Sequence, residues 1–383
     1  MQAKNKLFLF FLVPLAFVMN VEASKWNFNG SLAQEVKYDT NFFLSEEELE
    51  TWSYITEPKF DLTYATAVTS STISAAASVN LHDNLSQFNN EDYDINWVHA
   101  YTGNRWSWGL DAAYGDAETR REALEDSGDF TGGAQIATTS LEPNVLFKLS
   151  EKNNLFALLS YVDNKYSAGE FTDNTTFSWS FGWGHTFSQK FAMSVALGDN
   201  RFEATSELFD IQTDYKTINL GLQYNLSTEL DLSATVGFFD SKSQLSTSFE
   251  FEPIDPGGSG SLVELMLNYR SLRLSWDINA SKNLSPSSQG EVLEADRVSF
   301  TTSYELSERS HIGCSAQWGR NTSKIDPERE YVDLEIFYAY DVAKSIELKA
   351  SYKLREQERD ANTMLLAESF DGSVGSFSLR YKF

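Results

Sequence analysis

Short segments in which apolar and polar residues alternate recur through this sequence, and they limit its possible folds more than any other feature. In residues 376–383, every second position is large and apolar: Phe377, Leu379, Tyr381 and Phe383. Successive side chains of a β-strand point to opposite faces, so the pattern predicts a strand with one apolar and one polar face. The same period of two appears in residues 177–183, 218–224, 272–278, 298–306 and 346–354.

The spacing of these segments predicts how the strands are connected. From Trp26 to Phe383 there are about eighteen segments, each roughly ten residues long, which suits a tilted strand that crosses a bilayer. Short connections alternate with long polar ones, and both chain ends lie on the short side. The short ones include 103–104, 188–189, 227–229, 307–310 and 342–344; the long ones include 37–55, 116–132, 163–173, 199–213, 240–260, 279–295, 320–329 and 355–374. This order predicts an all-β fold, a transmembrane antiparallel up-and-down β-barrel of about 18 strands, with 16 also compatible.

The first residues have the features of a secretory signal peptide. Lys4 and Lys6 precede the apolar run 7–19, and Val21 and Ala23 are small residues before a cleavage site. An N-terminal membrane anchor is the alternative, but the run is shorter than the ~20 residues that a spanning helix needs. The sequence therefore predicts a signal peptide, 1–23, followed by one exported barrel domain, 24–383.

Composition excludes several classes of function. The chain has 55 acidic and 30 basic residues and a net charge of -25, so it lacks the basic face that nucleic acid requires. One cysteine, Cys314, excludes a disulfide framework and a thiolate metal cluster. The four histidines lack metal-ligand spacing, and no hydrolase elbow, zinc-protease or P-loop motif is present. We therefore expect no catalytic residues, no metal, no cofactor and no nucleic-acid partner.

A secreted β-sandwich, a propeller and a solenoid also produce alternating strands. Two features favour the membrane instead. Aromatic residues gather near strand ends, as in Trp26, Trp106 and Tyr304, where an interfacial girdle is expected. In addition, only a closed barrel lets exported strands lie in lipid without unpaired backbone groups. We therefore expect the chain to reside in the outer membrane of a Gram-negative bacterium.

The C-terminal strand resembles a known family signature. Phe377, Leu379, Tyr381 and the terminal Phe383 together look like the C-terminal signal of bacterial outer-membrane β-barrel proteins. In that class the signal is recognised by the barrel-assembly machinery, which the resemblance implies as a partner. More loosely, residues 141–166 and 300–323 resemble the β-barrel porins found with exopolysaccharide systems.

The polar face of the predicted strands carries charges that are candidates for lining a lumen. Facing basic and acidic rows would create a transverse field that filters solutes by charge, whereas paired, solvated wall residues would have no selective role. The lumen-lining candidates are Lys349, Lys353, Arg355, Arg380, Lys382, Asp333, Glu335, Glu347, Arg273, Asp277 and Arg297.

The long loops hold most of the negative charge. The third one, 116–132, contains a run of strong helix formers and predicts a short helix. Folded into the barrel, that loop would narrow the channel. Its constriction candidates are Arg120, Arg121, Glu122 and Glu125.

A barrel of 16 to 18 strands encloses an aqueous channel, so passage of solute is the expected function. The cargo is either small polar solutes or an exopolysaccharide. The alternative is a non-conducting barrel, plugged by its loops, that anchors surface polymer. The expected partners are outer-membrane lipid and lipopolysaccharide, the assembly machinery and, for polymer export, periplasmic polysaccharide-export proteins.

Overall fold

The computed structural model describes residues 25–122, 134–168, 171–206, 209–247, 258–323, 328–360 and 368–383. The predicted signal peptide lies outside the described residues. Within them, no helix is long and apolar enough to cross a membrane.

Eighteen strands form a single closed sheet in which each strand pairs antiparallel with the next along the chain. The circle closes between the last strand and the first, where Lys382 pairs with Ser31. This confirms the predicted all-β up-and-down barrel and its strand number. The strands are β1 (Trp26–Asp39), β2 (Thr51–Ala65), β3 (Thr69–His82), β4 (Asn90–Thr102), β5 (Trp106–Glu118), β6 (Gln135–Lys148), β7 (Asn153–Tyr166), β8 (Asp173–Thr186), β9 (Phe191–Thr205), β10 (Phe209–Asn225), β11 (Leu230–Thr247), β12 (Gly258–Arg270), β13 (Leu274–Pro286), β14 (Val292–Ser307), β15 (Ser310–Thr322), β16 (Arg329–Ala343), β17 (Ile346–Arg359) and β18 (Glu368–Lys382).

The strands are longer, and the loops shorter, than the alternation predicts. The connection predicted at 199–213 is reduced to 206–208, because β9 and β10 continue through residues on either side of it. Asp199 and Arg201 there belong to the β9 ladder and pair with Lys216 and Asp214 of β10. At the end of β9 the alternation is reversed: Arg201 and Glu203 point outward, whereas Phe202 and Ala204 are buried on the lumen face. The segment therefore lacks outward apolar residues although the hydrogen-bonded ladder continues.

The ladder register separates an apolar face from a polar one. Large apolar side chains such as Trp97, Phe181 and Ile336 remain about half exposed on one face, although hydrophobic groups this large are usually buried. On the other face Phe202 is fully buried. A closed barrel leaves only its outer surface for so many exposed apolar side chains, so this face meets lipid and the polar face lines the lumen. The protein is therefore an outer-membrane β-barrel of the Gram-negative type.

Bacterial outer-membrane barrels have short turns on the periplasmic side and longer loops on the extracellular side. Aromatic pairs mark the short-turn, periplasmic edge of the outward face. Trp106 lies 4.3 Å from Phe147, and Tyr269 stacks on Trp276 at 5.5 Å, in both cases beside a short turn. Amphipathic rings favour the membrane interface, so these pairs form the predicted girdle. Cys314 pairs in the ladder with Thr302 and Ile336, which places it on the outward face.

The C-terminal residue takes part in closing the barrel. The backbone N–H of Phe383 donates to the carbonyl of Gly30 (2.9 Å), and the N–H of Gly30 donates back to Phe383 (2.8 Å). A Cβ on Gly30 would meet the far edge of the Phe383 ring, so any larger residue there would require that ring to shift. The apolar side chains Phe377, Leu379 and Tyr381 of the same strand point outward.

A helical turn, α1 (Thr119–Glu122), follows β5, and a 3-10 helix (Ser86–Phe88) connects β3 to β4. α1 lies within the predicted helical run. The rest of that run falls in 123–133, outside the described residues.

Candidate functional site

The extracellular mouth of the lumen is narrowed by loops that fold inward. Loop 1 (residues 40–50) is held by Asn41, whose Nδ2 donates to the carbonyls of Ser45 and Asp371, both at 2.9 Å. Asp371 belongs to β18, so this side chain fastens the loop to the barrel wall. Leu44 adopts the left-handed conformation with φ of 46°, a backbone geometry that a leucine rarely takes without tertiary support.

Loop 1 meets loop 2 (83–89) and loop 3 (119–134) in an aromatic cluster. The loop 1–3 cluster consists of Phe42, Phe43, His82, Phe88 and Arg120. The Phe42 ring lies 4.8 Å from His82 and 5.1 Å from Phe43, and Phe43 lies 4.9 Å from Phe88. The Arg120 guanidinium carbon lies 3.4 Å from the centre of the Phe42 ring. The Arg120 side chain of loop 3 thus contacts aromatic residues of loops 1 and 2.

Arg120 is a buried cation with one close acidic partner. Its Nη2 forms an ion pair with Glu118 Oε2 at 2.9 Å, and both side chains are about nine-tenths buried. Burial lowers the pKa of the Arg120 guanidinium, and the Glu118 carboxylate opposes that shift. Arginine nevertheless stays protonated in proteins, so a permanent charge sits under the loops.

Of the four predicted constriction residues, the structure places Arg120 in the loop 1–3 cluster. Arg121 and Glu122 lie on α1, with side chains outside the described residues, and Glu125 lies outside them altogether. The aromatic partners of Arg120 were missed from the sequence. Phe42 and Phe43 form an apolar pair inside an otherwise acidic loop, which is the one signal that pointed to a packed contact.

His82 has a serine partner that the sequence did not reveal. Ser53 Oγ lies 2.8 Å from His82 Nδ1, because the register pairs these two residues across β2 and β3. Both side chains are buried, and Phe42 packs on the imidazole. His82 Nε2 has no hydrogen-bond partner among the described residues, and the cations Arg120 and Lys37 are the charges that act on the ring. A serine hydrolase needs an acidic residue to orient its histidine, and the ring's described surroundings lack one.

The charged lumen candidates are joined in ion pairs between neighbouring strands. Asp333 on β16 contacts two cations of β17, Lys353 at 2.7 Å and Arg355 at 3.5 Å. Further along the same wall, Lys349 and Glu335 are 3.5 Å apart. The acidic and basic rows therefore lie side by side on one wall, where the ladder register brings them together, and do not face each other across the lumen.

Apart from Arg273, the remaining candidates lie on the same polar face. Lys382 pairs with Glu347 at 2.7 Å, and Asp277 pairs with Arg270 at 2.8 Å. Arg380 stands opposite Ala33 in the ladder, and Arg273 lies in the short turn 271–273.

Arg297 on β14 is fixed by polar groups around it. Its Nη1 donates to the carbonyl of Asp296 at 3.0 Å, and its Nη2 donates to Asn321 Oδ1 at 2.6 Å. The guanidinium carbon lies 5.4 Å from the Tyr331 ring centre. Arg297 is thereby held against the lumen wall near its extracellular end.

A second contact between loops crosses the mouth elsewhere. The backbone N–H of Thr172 in loop 4 (167–172) donates to the carbonyl of Ser288 in loop 7 (287–291) at 2.8 Å. These loops follow β7 and β13, so the contact links distant parts of the strand order. Thr172, Ser287 and Ser288 are all buried. We call this the loop 4–7 contact.

The two ends of the lumen therefore differ in accessibility. Near the periplasmic turns, Lys382 and Arg270 keep about half of their side-chain surface exposed. Near the extracellular end, Asp333 is 6% exposed and the loop residues above it are buried. Charged lumen-facing side chains are therefore more accessible to water near the periplasmic turns than near the extracellular end.

No protein-family model matches the sequence, and the comparison with curated proteins gave no match. Among solved structures, the barrel is similar to OccAB3 of Acinetobacter baumannii, with 11% identity, a TM-score of 0.44, and coverage of 93% of this chain and 100% of that one. It is similar to OpdK of Pseudomonas aeruginosa with vanillate, with 10% identity, a TM-score of 0.47, and coverage of 93% and 98%. The ferric-catecholate import receptor Fiu of E. coli K12 gives 8% identity, a TM-score of 0.45, and coverage of 92% and 81%.

Proposed function

We propose that this barrel is an outer-membrane channel for small polar solutes, with its narrowest part at the extracellular mouth. The observation that carries the proposal is the polar, ion-paired lumen wall, which stays accessible to water below the loops. Polar side chains and paired charges replace the hydration of a polar solute as it passes. The outward apolar face holds that wall across the bilayer.

Small solutes fit the mouth better than a polymer does. Loops 1, 2 and 3 meet in the loop 1–3 cluster, and loop 4 bonds to loop 7 across the opening. Both contacts take up space at the mouth, and an extended polysaccharide would occupy the remaining opening during its whole passage. A small solute needs only the space beside them.

The same contacts also favour one alternative, a non-conducting barrel that anchors surface polymer. Purified protein in planar bilayers distinguishes the two functions. We expect stepwise single-channel currents that scale with salt concentration. A barrel that shows folded, heat-modifiable migration on gels but passes no current would overturn the channel proposal.

Charge selectivity gives a second test of the lumen wall. Replacing Asp333→Asn removes the anionic partner of Lys353 and Arg355, so the wall gains net positive charge. We expect the anion-to-cation permeability ratio to rise by up to about fivefold, because a unit charge at ~4 Å in water is worth roughly 1 kcal/mol. Reversal potentials in a salt gradient measure the ratio.

Asp296→Asn is the matched control, because Asp296 pairs with Arg320 on the outward face at 2.8 Å. We expect no change in selectivity for this variant. Equal shifts in both variants would contradict the assignment of Asp333 to the conduction path.

We further propose that the barrel has no catalytic role and that its partners are outer-membrane lipid, lipopolysaccharide and the barrel-assembly machinery. The Ser53–His82 pair supports the first point, because it is buried and His82 Nε2 has no hydrogen-bond partner among the described residues. The outward strand ends carry both signs of charge, as in Arg201 beside Asp214, which suits the lipopolysaccharide head-group region.

A further inference from the structure

The charged side chains of strands β7 to β10 all point away from the lumen. Trp179 and Ile218 are exposed apolar residues that mark the outward face, and the ladder alternates from them. In this register, no charged residue of the described chain lies on the lumen face of β7–β10. The lumen face of β11 is likewise uncharged from Ser233 to Ser243, and we call the whole surface the uncharged wall. The charged residues on the outward face of β7–β10 are Asp163, Lys165, Asp173, Asp199, Arg201, Glu203, Asp210, Asp214 and Lys216.

The opposite side of the lumen is strongly charged. β17 lies half-way around the circle of strands from β8. Its lumen face carries Lys349, Lys353 and Arg355, and that of β16 carries Asp333 and Glu335. We call the lumen face of β16–β18 the charged wall. Charged residues make up 22% of the chain, so their absence from the lumen face of four described strands is a segregation and not a shortage of charge.

Polar side chains of the uncharged wall lie close against the sheet. A Cβ on Gly198 would be 2.6 Å from Thr217 Oγ1, and a Cβ on Gly221 would be 2.5 Å from Ser194 Oγ. Each glycine stands opposite its polar partner in the ladder between β9 and β10. The hydroxyl groups therefore occupy the space that a larger residue at each glycine would fill. This part of the wall presents its hydrogen-bonding groups beside the backbone.

These polar groups are available to a solute. Among the described residues, the side chains of Ser180, Ser194, Thr217, Asn219 and Thr235 make no hydrogen bond to the protein. All five are half-buried, so water reaches them from the lumen. On the charged wall, in contrast, carboxylates and cations of neighbouring strands are paired with each other.

We propose that the uncharged wall binds an uncharged polyhydroxylated solute, such as a mono- or disaccharide, during its passage through the lumen. A hydroxyl or amide side chain both donates and accepts hydrogen bonds, as each hydroxyl group of a sugar does. The groups that line a pore decide which solutes it favours, so ions follow the charged wall and sugars the uncharged one. This inference rests on the proposed channel function and names its substrate class.

Saturation-transfer NMR of trehalose with the folded barrel in deuterated detergent micelles tests the inference without requiring transport. The double variant Ser180→Ala/Thr217→Val removes two hydroxyl groups from the uncharged wall. Ser351→Ala/Ser376→Ala is the matched control, because these two hydroxyls bond to each other on the charged wall at 3.0 Å. We expect the transfer to fall about threefold in the first variant and to stay at the wild-type level in the second. Absence of transfer in the wild type, or an equal loss in both variants, would overturn the inference.

A carboxylate placed in each wall gives a second readout. Asn219→Asp should slow trehalose entry into proteoliposomes about threefold, because a carboxylate accepts hydrogen bonds but cannot donate them. Liposome swelling measures this entry. Ser351→Asp should change ion selectivity and leave trehalose entry as in the wild type. Equal slowing in both variants would contradict the assignment of sugars to the uncharged wall.

The two readouts separate this inference from the channel proposal. Ion current, together with trehalose transfer that neither double variant reduces, would refute the uncharged-wall inference alone. Transfer that depends on Ser180 and Thr217, in a barrel that passes no current, would refute the channel alone. Heat-modifiable migration on gels establishes that each variant is folded before either measurement.

Discussion

The loop 1–3 cluster and the loop 4–7 contact both close part of the same mouth, but they are built differently. The first is a packing of side chains around the buried cation Arg120, with Phe42 at its centre. The second is a backbone hydrogen bond from Thr172 to Ser288, and both residues are buried. Side-chain packing depends on particular residues, whereas a backbone bond depends on loop conformation. The two contacts should therefore respond to opposite kinds of substitution.

The largest effect is expected from Phe42→Ala. Truncation of a buried phenylalanine costs about 3 kcal/mol and also removes the surface on which Arg120 stacks. Loop 1 should then open more often, with faster amide exchange at Leu44, whose N–H donates to Asn41, and with higher single-channel conductance.

Phe171→Ala is the control for this prediction, because Phe171 of loop 4 stacks on Tyr166 of β7 and lies outside the loop 1–3 cluster. We expect the rate of amide exchange at Leu44 in this variant to match that of wild type. Unchanged exchange and conductance in Phe42→Ala would show that the cluster does not hold the mouth closed.

A smaller effect is expected from Gly290→Ala, which acts on the backbone of loop 7. An alanine at φ of 85° is strained by about 1–2 kcal/mol, so the turn should relax and weaken the bond to loop 4. Amide exchange at Thr172 reports that bond directly. Gly375→Ala is the control, because a Cβ there meets open space. Equal exchange at Thr172 in both variants would disprove the role of the turn.

The smallest effect is expected from Thr172→Val. The N–H of residue 172 remains in place, and the new side chain has a similar shape, so the loop 4–7 contact should lose less than about 0.5 kcal/mol. Exchange at this amide should stay within about threefold of wild type. A larger change would show that the threonine side chain, not the backbone, carries the contact.

The barrel was largely predictable from the sequence because its rule is local. Each strand that crosses the bilayer must place apolar residues outward at every second position, as Ile346 to Leu354 and Phe377 to Phe383 do. The rule failed at the strand ends above the bilayer. Around Asp199 and Asp214 the outward residues are charged and the apolar Phe202 is buried on the lumen face, so the segment looked like a loop although the ladder continues.

The candidate site was predictable only in part. Arg120 stood out as a charge in a long loop, but its contact with Phe42 joins residues far apart in the sequence and has no periodic signal. The Ser53–His82 pair likewise follows from the exact register of β2 and β3, which alternation alone leaves open. The lumen charges were identified by face, yet their pairing between neighbouring strands required that register too.

Alternation by itself predicted strands with one apolar and one polar face, because it follows from which way single side chains point, and the order of short and long connections predicted a barrel of about 18 strands, with 16 also compatible. Only the tertiary structure decided how the loops meet at the mouth and where ladder pairing between β12 and β13 stops. Those features arise from a few contacts between distant loops, each worth only a few kcal/mol. Such contacts leave no repeat in the chain, so folding in three dimensions alone selects them.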